Sequence, residues 1–192
     1  MATSIPPEVD DIGKQGYHHG DLRRVIMNAA VEAIDASGTG GWSMRELARR
    51  AGVSHAAPAH HFGDKEGLFT ALATEGYTRF AEVLAAAGDD LLELGVAYVD
   101  FAADHRALFE VMFRPELFDE TDQCLAAARQ AAWRALNEGA RGLTETAGAS
   151  ASVAAWSIAH GFAELWNSGT LTPPPDTTAG ESARPVLKVL LR

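Results

Sequence analysis

The chain has 192 residues, 47% hydrophobic and 22% charged, a composition that excludes disorder over its whole length. Its 16 Lys+Arg stand against 26 Asp+Glu, and the net charge of −10, taken whole, argues against a coat for nucleic acid or an anionic membrane. A single cysteine, Cys124, excludes an intrachain disulfide and a cysteine metal cluster, and no apolar run reaches the about 18 residues of a membrane span.

The charge is uneven along the chain. Residues Met1 to Asp11 hold three acids and no base, with neither the basic nor the apolar run of a secretory signal, so a cytoplasmic place is expected. Between Ile12 and Lys65 seven bases meet five acids, and five of the seven histidines fall there. From Glu66 onward nine bases meet eighteen acids. A slightly basic first third thus precedes a strongly acidic remainder.

Residues 1–19 contain Pro6-Pro7, Gly13 and Gly16 without periodicity and read as a flexible arm. From Leu22 the pattern turns helical: Val25, Ile26, Ala29, Ala30, Ala33 and Ile34 follow the spacing of one helix face. Asp21 puts a carboxylate at the helix start, where the dipole favours it, and Gly38, Gly40 and Gly41 end the helix. Ser43-Met44-Arg45-Glu46 has the S-x-x-E pattern of a capping box and opens a second helix. Ala51-Gly52 closes it within two turns. Ser54 is placed to cap a third short helix running to about His61, and Asp64 a fourth from Lys65, with Leu68, Phe69, Leu72, Tyr77, Phe80 and Leu84 on its apolar face.

Beyond Gly88 the chain stays helical in character, interrupted by Pro115 and by the proline-rich loop Thr172 to Gly180. Leu91, Leu94, Tyr98 and Phe101 share a face; Asp119 to Glu138 is alanine-rich; Ser150 to Asn167 is apolar; Val186 to Leu191 reads as a short helix end. No segment alternates with period two. The expected fold is all-α with about nine helices.

The segment Ser43 to Lys65 carries the most specific signal. Two short helices joined at Gly52 form a helix-turn-helix, in which Ala48 lets the helices cross closely and Leu47 and Val53 fill the small core beneath. Such a motif lays its second helix in the major groove of DNA, which at about 12 Å is wide enough for one helix.

The run Ser43-x-x-Glu46-Leu47-Ala48-x-x-Ala51-Gly52-Val53-Ser54, followed by His61-Phe62-x-x-Lys65-Glu66-x-Leu68, resembles the tetracycline-repressor-type (TetR) family of transcriptional regulators. Tyr17-His18-His19-Gly20-Asp21-Leu22-Arg23 is similar to one subgroup. Trp156-x-x-x-His160-Gly161-Phe162 resembles the Trp-His-Gly signature of a C-terminal domain of that family, and Leu108-Phe109-x-x-Met112-Phe113 is similar to the same domain. Two positions depart from the pattern: Ala59 stands where the family has a phosphate-binding tyrosine, and Pro58 where it has an aliphatic residue.

The resemblance implies a three-helix DNA-binding head over 20–64 and a helical ligand-binding and dimerisation domain over 65–192. The expected DNA contacts are Ser43, whose cap exposes backbone N–H groups to phosphate, Arg45 and Lys65, the last in the place of the family's phosphate-binding lysine. Ser54, His55, Ala56, Ala57 and His60 are expected along the recognition helix, the histidines donating to guanine N7 or O6 and the alanines packing on a thymine methyl. Arg49 and Arg50 suit surface ion pairs as well as DNA, and His61 suits a structural hydrogen bond at the helix end.

Phe101, Phe109, Met112, Phe113, Trp133, Trp156 and His160 are the candidate lining of a pocket for a small, largely apolar effector. By resemblance the last two helices form a homodimer interface, with Phe162, Leu165, Trp166, Val186, Val189 and Leu190 as its apolar candidates. A two-fold dimer matches a palindromic operator in double-stranded DNA. No catalytic constellation, metal site or cofactor motif is readable: His18-His19 and His60-His61 lack completing ligands, and His160 lacks a nucleophile to activate. The alternative to a ligand-controlled repressor is a small-molecule-binding bundle whose DNA head is degenerate, motivated by Ala59.

Overall fold

The computed structural model describes residues 15–142, 145, 149–172 and 174–191, and their side chains except those of 15–21, 149, 190 and 191. Among these residues the regular structure is wholly helical, with nine α-helices and two short 3-10 turns. The chain separates into two compact units, one ending at Gly63 and one starting at Asp64.

The first unit is built on α1 (Gln15–Ser37), which buries Ile26, Ala30, Ala33 and Ile34. It starts earlier than the Leu22 periodicity suggests. The expected arm therefore loses residues 15–19 to the helix, since Gly20 costs a helix interior only about 1 kcal/mol; Asp21 lies inside α1 rather than at its start, and residues 1–14 lie outside the described set. At the other end Gly38 takes φ +70° and donates its N–H to the Ile34 carbonyl at 2.7 Å.

Helices α2 (Met44–Arg50) and α3 (Ala57–Phe62) pack on α1 and on each other. Leu47 and Ala48 have no exposed surface, as the crossing requires. Gly52 takes φ +66° in the turn, and the Val53 N–H reaches the Ala48 carbonyl at 3.0 Å. Ser43 caps α2 by accepting the Glu46 N–H at 3.2 Å. The capping box closes on that side only, because Arg49 and Arg50 take the Glu46 carboxylate at 3.1 Å each.

The start of α3 differs from the expectation. Ser54 does not cap it; Ala56 holds the cap position without a side-chain bond. Pro58 supplies the reason. It has no N–H to give to the Ser54 carbonyl, which instead accepts from Ala57 at 3.0 Å, so the first α-helical bond runs from His60 to Ala56. The proline ring is buried, in the place where the family carries an aliphatic side chain.

The second unit opens with α4 (Lys65–Ala87), capped by Asp64, which accepts the Gly67 N–H at 2.9 Å. Its buried face is the expected one, with Leu68, Phe69, Leu72, Tyr77, Phe80 and Leu84. Against it lie α5 (Leu91–Asp104), α6 (Arg106–Met112) and α7 (Gln123–Gly139), while α8 (Ala149–Asn167) and α9 (Ala179–Leu187) pack on α5. Phe80 sits at the centre, its ring 5.0 Å from Tyr98 and 4.9 Å from Phe101. No helix among the described residues is long and apolar enough to cross a membrane.

Helix α9 begins within the stretch read as loop. Thr178 and Glu181 form a complete capping box there, the same S/T-x-x-E signal that marks α2. Two contacts hold α9 on α5: the Arg184 guanidinium forks onto the Glu93 carboxylate at 2.5 and 2.8 Å, and the Gly180 N–H donates to Asp100 at 2.6 Å. A Cβ at Gly180 would overlap that carboxylate. Gly180→Ala is therefore expected to cost about 1–3 kcal/mol, read as a lower urea midpoint; an unchanged midpoint would mean that α9 docks without this contact.

Candidate nucleic-acid face and ligand cavity

The first unit exposes most of the side chains expected to meet DNA. Ser43 and Arg45 are exposed at the first turn of α2. Ser54, His55 and Ala56 are exposed in the turn before α3, and His60 on α3 itself. Ala57 is the exception: at 7% exposure its methyl belongs to the core of the unit and is withdrawn as a base contact. Ala59 is exposed, so it presents only a methyl where the family has a tyrosine.

Arg49 and Arg50 are both engaged by Glu46, whose carboxyl their guanidinium groups, Arg50 foremost, hold below the usual carboxylate range. Arg23 lies over the Phe62 ring at 5.2 Å, and the His60 and His61 rings meet edge to face at 5.5 Å. In the second unit Lys65 opens α4 half-buried, its ammonium 5.5 Å from the Phe69 ring centre. Partial burial lowers its pKa from the ordinary lysine value. The side chains of His18 and His19 lie outside the described set.

The second unit contains a cavity of about 500 Å³ between α5, α7, α8 and Leu187 of α9. That size suits a small organic ligand. Of the seven candidate pocket residues, only Trp133 and Trp156 line it, their rings edge to face at 5.1 Å. Phe101, Phe109 and Met112 are core residues with almost no exposure. Phe113 packs behind the wall, 4.6 Å from the His160 ring. The walls are instead Leu91, Leu94, Leu136 and Leu187, the last packed against Gly95, with the small Ala155 and Ala159 between them. A search for large aromatics misses such a pocket, because the residues that make room are small. The Ala155-x-x-x-Ala159 pair, set among leucines, is the signal that was available.

His160 does not line the cavity, but it is bonded to a residue that does. Tyr98, also absent from the expected set, has its hydroxyl 2.8 Å from His160 Nδ1 and 3.1 Å from Trp156 Nε1. An indole N–H can only donate, so the Tyr98 oxygen accepts from Trp156 and its proton goes to His160. The imidazole proton then sits on Nε2, 3.9 Å from the exposed Glu164 carboxylate. Trp156 and His160 of the Trp-His-Gly signature thus meet on one hydroxyl. Burial pushes the Tyr98 phenol well above the usual range and keeps it neutral.

Burial also lowers the His160 pKa, opposed by the nearby Glu164. The folded state therefore favours the neutral ring. The stability this contributes is complete above about pH 6.5, the unfolded value, and is lost as pH falls through the lower folded value. Urea midpoints of the wild type are expected to drop between pH 7.5 and pH 5, with a smaller drop in His160→Gln; equal pH dependence in the two would contradict this.

Of the six dimer candidates, Leu165 is 45%, Val186 42% and Val189 63% exposed. Phe162 and Trp166 are half-buried and stacked on each other at 6.4 Å, and the Leu190 side chain lies outside the described set.

A three-helix head with two short helices crossing at a glycine turn, followed by a helical body holding a ligand-sized cavity, is the plan of a helix-turn-helix regulator with a built-in sensor domain. Residues 26–72 match the family model described as bacterial regulatory proteins of the tetR family, and residues 91–190 the tetracyclin repressor-like C-terminal domain. The chain belongs to the TetR family. It is 42% identical over 66 residues to the HTH-type transcriptional repressor AcnR of Corynebacterium glutamicum, a match covering 34% of this chain and 35% of that protein. The chain thus spans about a third of the length of the curated repressors it matches first. Among solved structures it resembles a protein of unknown function from Rhodococcus sp. RHA1, at 30% identity and a TM-score of 0.71, over 92% of this chain and 97% of that one. A tetR-family bacterial regulatory protein from Rhodococcus RHA1 shares the fold at 24% identity and a TM-score of 0.69, over 89% and 95% of the two chains.

Proposed function

We propose that the protein is a homodimeric transcriptional repressor whose binding to a palindromic operator is controlled by a small, largely apolar effector, and that it performs no catalysis. The observation that carries this reading is the pairing, in one chain, of an exposed helix-turn-helix with a separate cavity of about 500 Å³ walled by apolar side chains. The match to AcnR, a transcriptional repressor, supports repression.

In this reading the head over 20–64 reads DNA and residues 65–192 hold effector and partner. Ser43, Arg45 and Lys65 grip phosphate, while Ser54, His55, Ala56 and His60 face the base edges. One head reads only a few base pairs, so two are needed, with half-sites about 34–36 Å apart or a multiple of it. The dimer uses Leu165, Val186, Val189 and Leu190, with Phe162 and Trp166 behind them. An effector that prefers the wider spacing of the two heads releases DNA, by no more than its differential affinity for the two states. Helix α4, which follows the head directly in the chain, carries the change.

The test is fluorescence anisotropy on the DNA fragment upstream of the protein's own gene. Retention of that fragment and not of a scrambled one supports the reading. Binding of small molecules without binding of any DNA would favour the degenerate-head alternative that Ala59 suggests. Two variants separate the roles. Lys65→Ala is expected to weaken all sequences similarly and to reduce the salt slope by about two, one for each half-site, whereas His55→Ala is expected to relax base preference at one position per half-site. The reverse pattern would contradict both assignments.

A further inference from the structure

We infer that the effector is an amphipathic carboxylate whose apolar body enters the cavity first and whose carboxylate stays at the rim, held by Arg141 and Asn137. The inference rests on the effector-controlled reading above and adds the chemistry of the ligand. Two observations carry it, one from the buried and one from the exposed part of the lining.

The most buried part of the lining, with Leu94, Tyr98, Ala159 and Leu187, offers no free donor among the described residues. Its one hydroxyl, on Tyr98, already accepts from Trp156 Nε1 at 3.1 Å and is bonded to His160 at 2.8 Å. The rest of that part is Leu94, Ala159 and Leu187 with the Trp156 ring. A ligand carboxylate pushed there would lose its water without replacement, at a prohibitive cost for a charge. An alkyl or aryl body loses nothing and gains the burial.

The exposed polar side chains of the lining lie near the end of α7, and Ser152 of α8, half-buried and already engaged, lines the cavity as well. Asn137 stands in the last turn of α7, and Arg141 follows four residues on, in helical backbone; both line the cavity and are exposed. Neither side chain has a hydrogen-bond or ion-pair partner among the described residues. An amide N–H and a guanidinium fork are donors, and two donors of this kind match the two oxygens of a carboxylate. Among the described residues Arg141 is the only cation on the lining. Glu145 also lines this end and makes no ion pair with Arg141 among the described residues, so the guanidinium is not neutralised by it there. Glu145 works against an anionic ligand and favours an amine, which is why the head group has to be tested directly.

The experiment uses the full-length protein and three probes with one alkyl chain and different heads: decanoate, 1-decanol and decylamine, each below its aggregation limit. Binding is read by calorimetry and by the fluorescence of Trp133 and Trp156. Decanoate is expected to bind about tenfold tighter than decanol. Arg141→Gln is expected to remove that preference while leaving decanol unchanged, and Glu145→Gln to strengthen decanoate. Equal binding of decanoate and decanol, or tighter binding of decylamine, overturns the carboxylate assignment and leaves the effector cavity standing. No binding of any probe, together with an unchanged tryptophan signal, overturns the cavity as an effector site as well. Both substituted residues are exposed, so loss of fold is not the expected outcome, and a thermal melt of each variant checks it.

Discussion

Replacing Leu165 with arginine is expected to turn the protein into a monomer and to weaken its hold on a palindromic duplex by about a hundredfold or more. The side chain stands on α8 with nearly half its surface exposed, 45%, and Val186 on α9 and Val189 on the 3-10 turn that follows are exposed as well. In the proposed dimer it meets its own copy across the two-fold axis. One substitution then buries two like charges without partners, and the penalty of an uncompensated buried charge is several kcal/mol. The isolated subunit has no such penalty, because there the arginine faces water. Sedimentation and anisotropy should therefore change together while the thermal melt of the subunit stays cooperative. Gly161 gives a second handle on the same helix. It is exposed, and a Cβ there would meet no atom within 4 Å inside the chain. Gly161→Ala should favour the helix by about 0.5–1 kcal/mol in a monomer, so a loss of dimer from this variant would locate the partner helix against it. A dimeric Leu165→Arg protein with intact DNA binding would place the interface elsewhere.

Tyr98→Phe is expected to cost about 2 kcal/mol, although the change removes a single oxygen. The ring is one of the largest fully buried side chains, so packing is preserved by phenylalanine. What is lost is the acceptor for the Trp156 N–H and the donor for His160 Nδ1. Both partners are half-buried, and water reaches them only in part, which keeps the loss below that of two fully orphaned groups. Adding His160→Leu to Tyr98→Phe should recover part of the stability, because an apolar pair is cheaper than one polar group left alone. Urea denaturation of the two variants distinguishes this from a plain cavity effect, in which the second change would only add to the first.

The helix-turn-helix was legible because its signals are local. A cap at Ser43, a small residue at Ala48 and a glycine at the turn each constrain the backbone within a few residues. The start of α3 was misread for an equally local reason: Pro58 withholds one hydrogen bond, and the cap moves from Ser54 to Ala56. Helix α9 was hidden by the three prolines before it, although Thr178 and Glu181 carried the same cap signal as α2. The cavity was not legible from the aromatics. Periodicity says which residues face inward, not which of them fail to touch one another. Phe101, Phe109 and Met112 fill space, while the small Ala155 and Ala159 leave it. His160 was expected on the lining of the pocket and instead sits behind it, bonded to Tyr98, which lies 62 residues away with no spacing rule to join them.

The charge of −10 fits this division of roles. The excess of acids lies in the segment that begins with α4, and the segment that holds the helix-turn-helix is slightly basic. Non-specific affinity for DNA is mostly phosphate neutralisation, so in the proposed reading an acidic body suppresses indiscriminate binding, and a shallow salt dependence is expected.

Selection from a random library of double-stranded oligonucleotides, with the full-length protein at physiological salt, addresses the central claim most directly. The expected winner is an inverted repeat of two equal half-sites whose centres are about 10 base pairs apart or a multiple of that spacing. Enrichment of a single, non-repeated site would contradict the dimeric reading. Failure to enrich any sequence would contradict the assignment of DNA reading to this head.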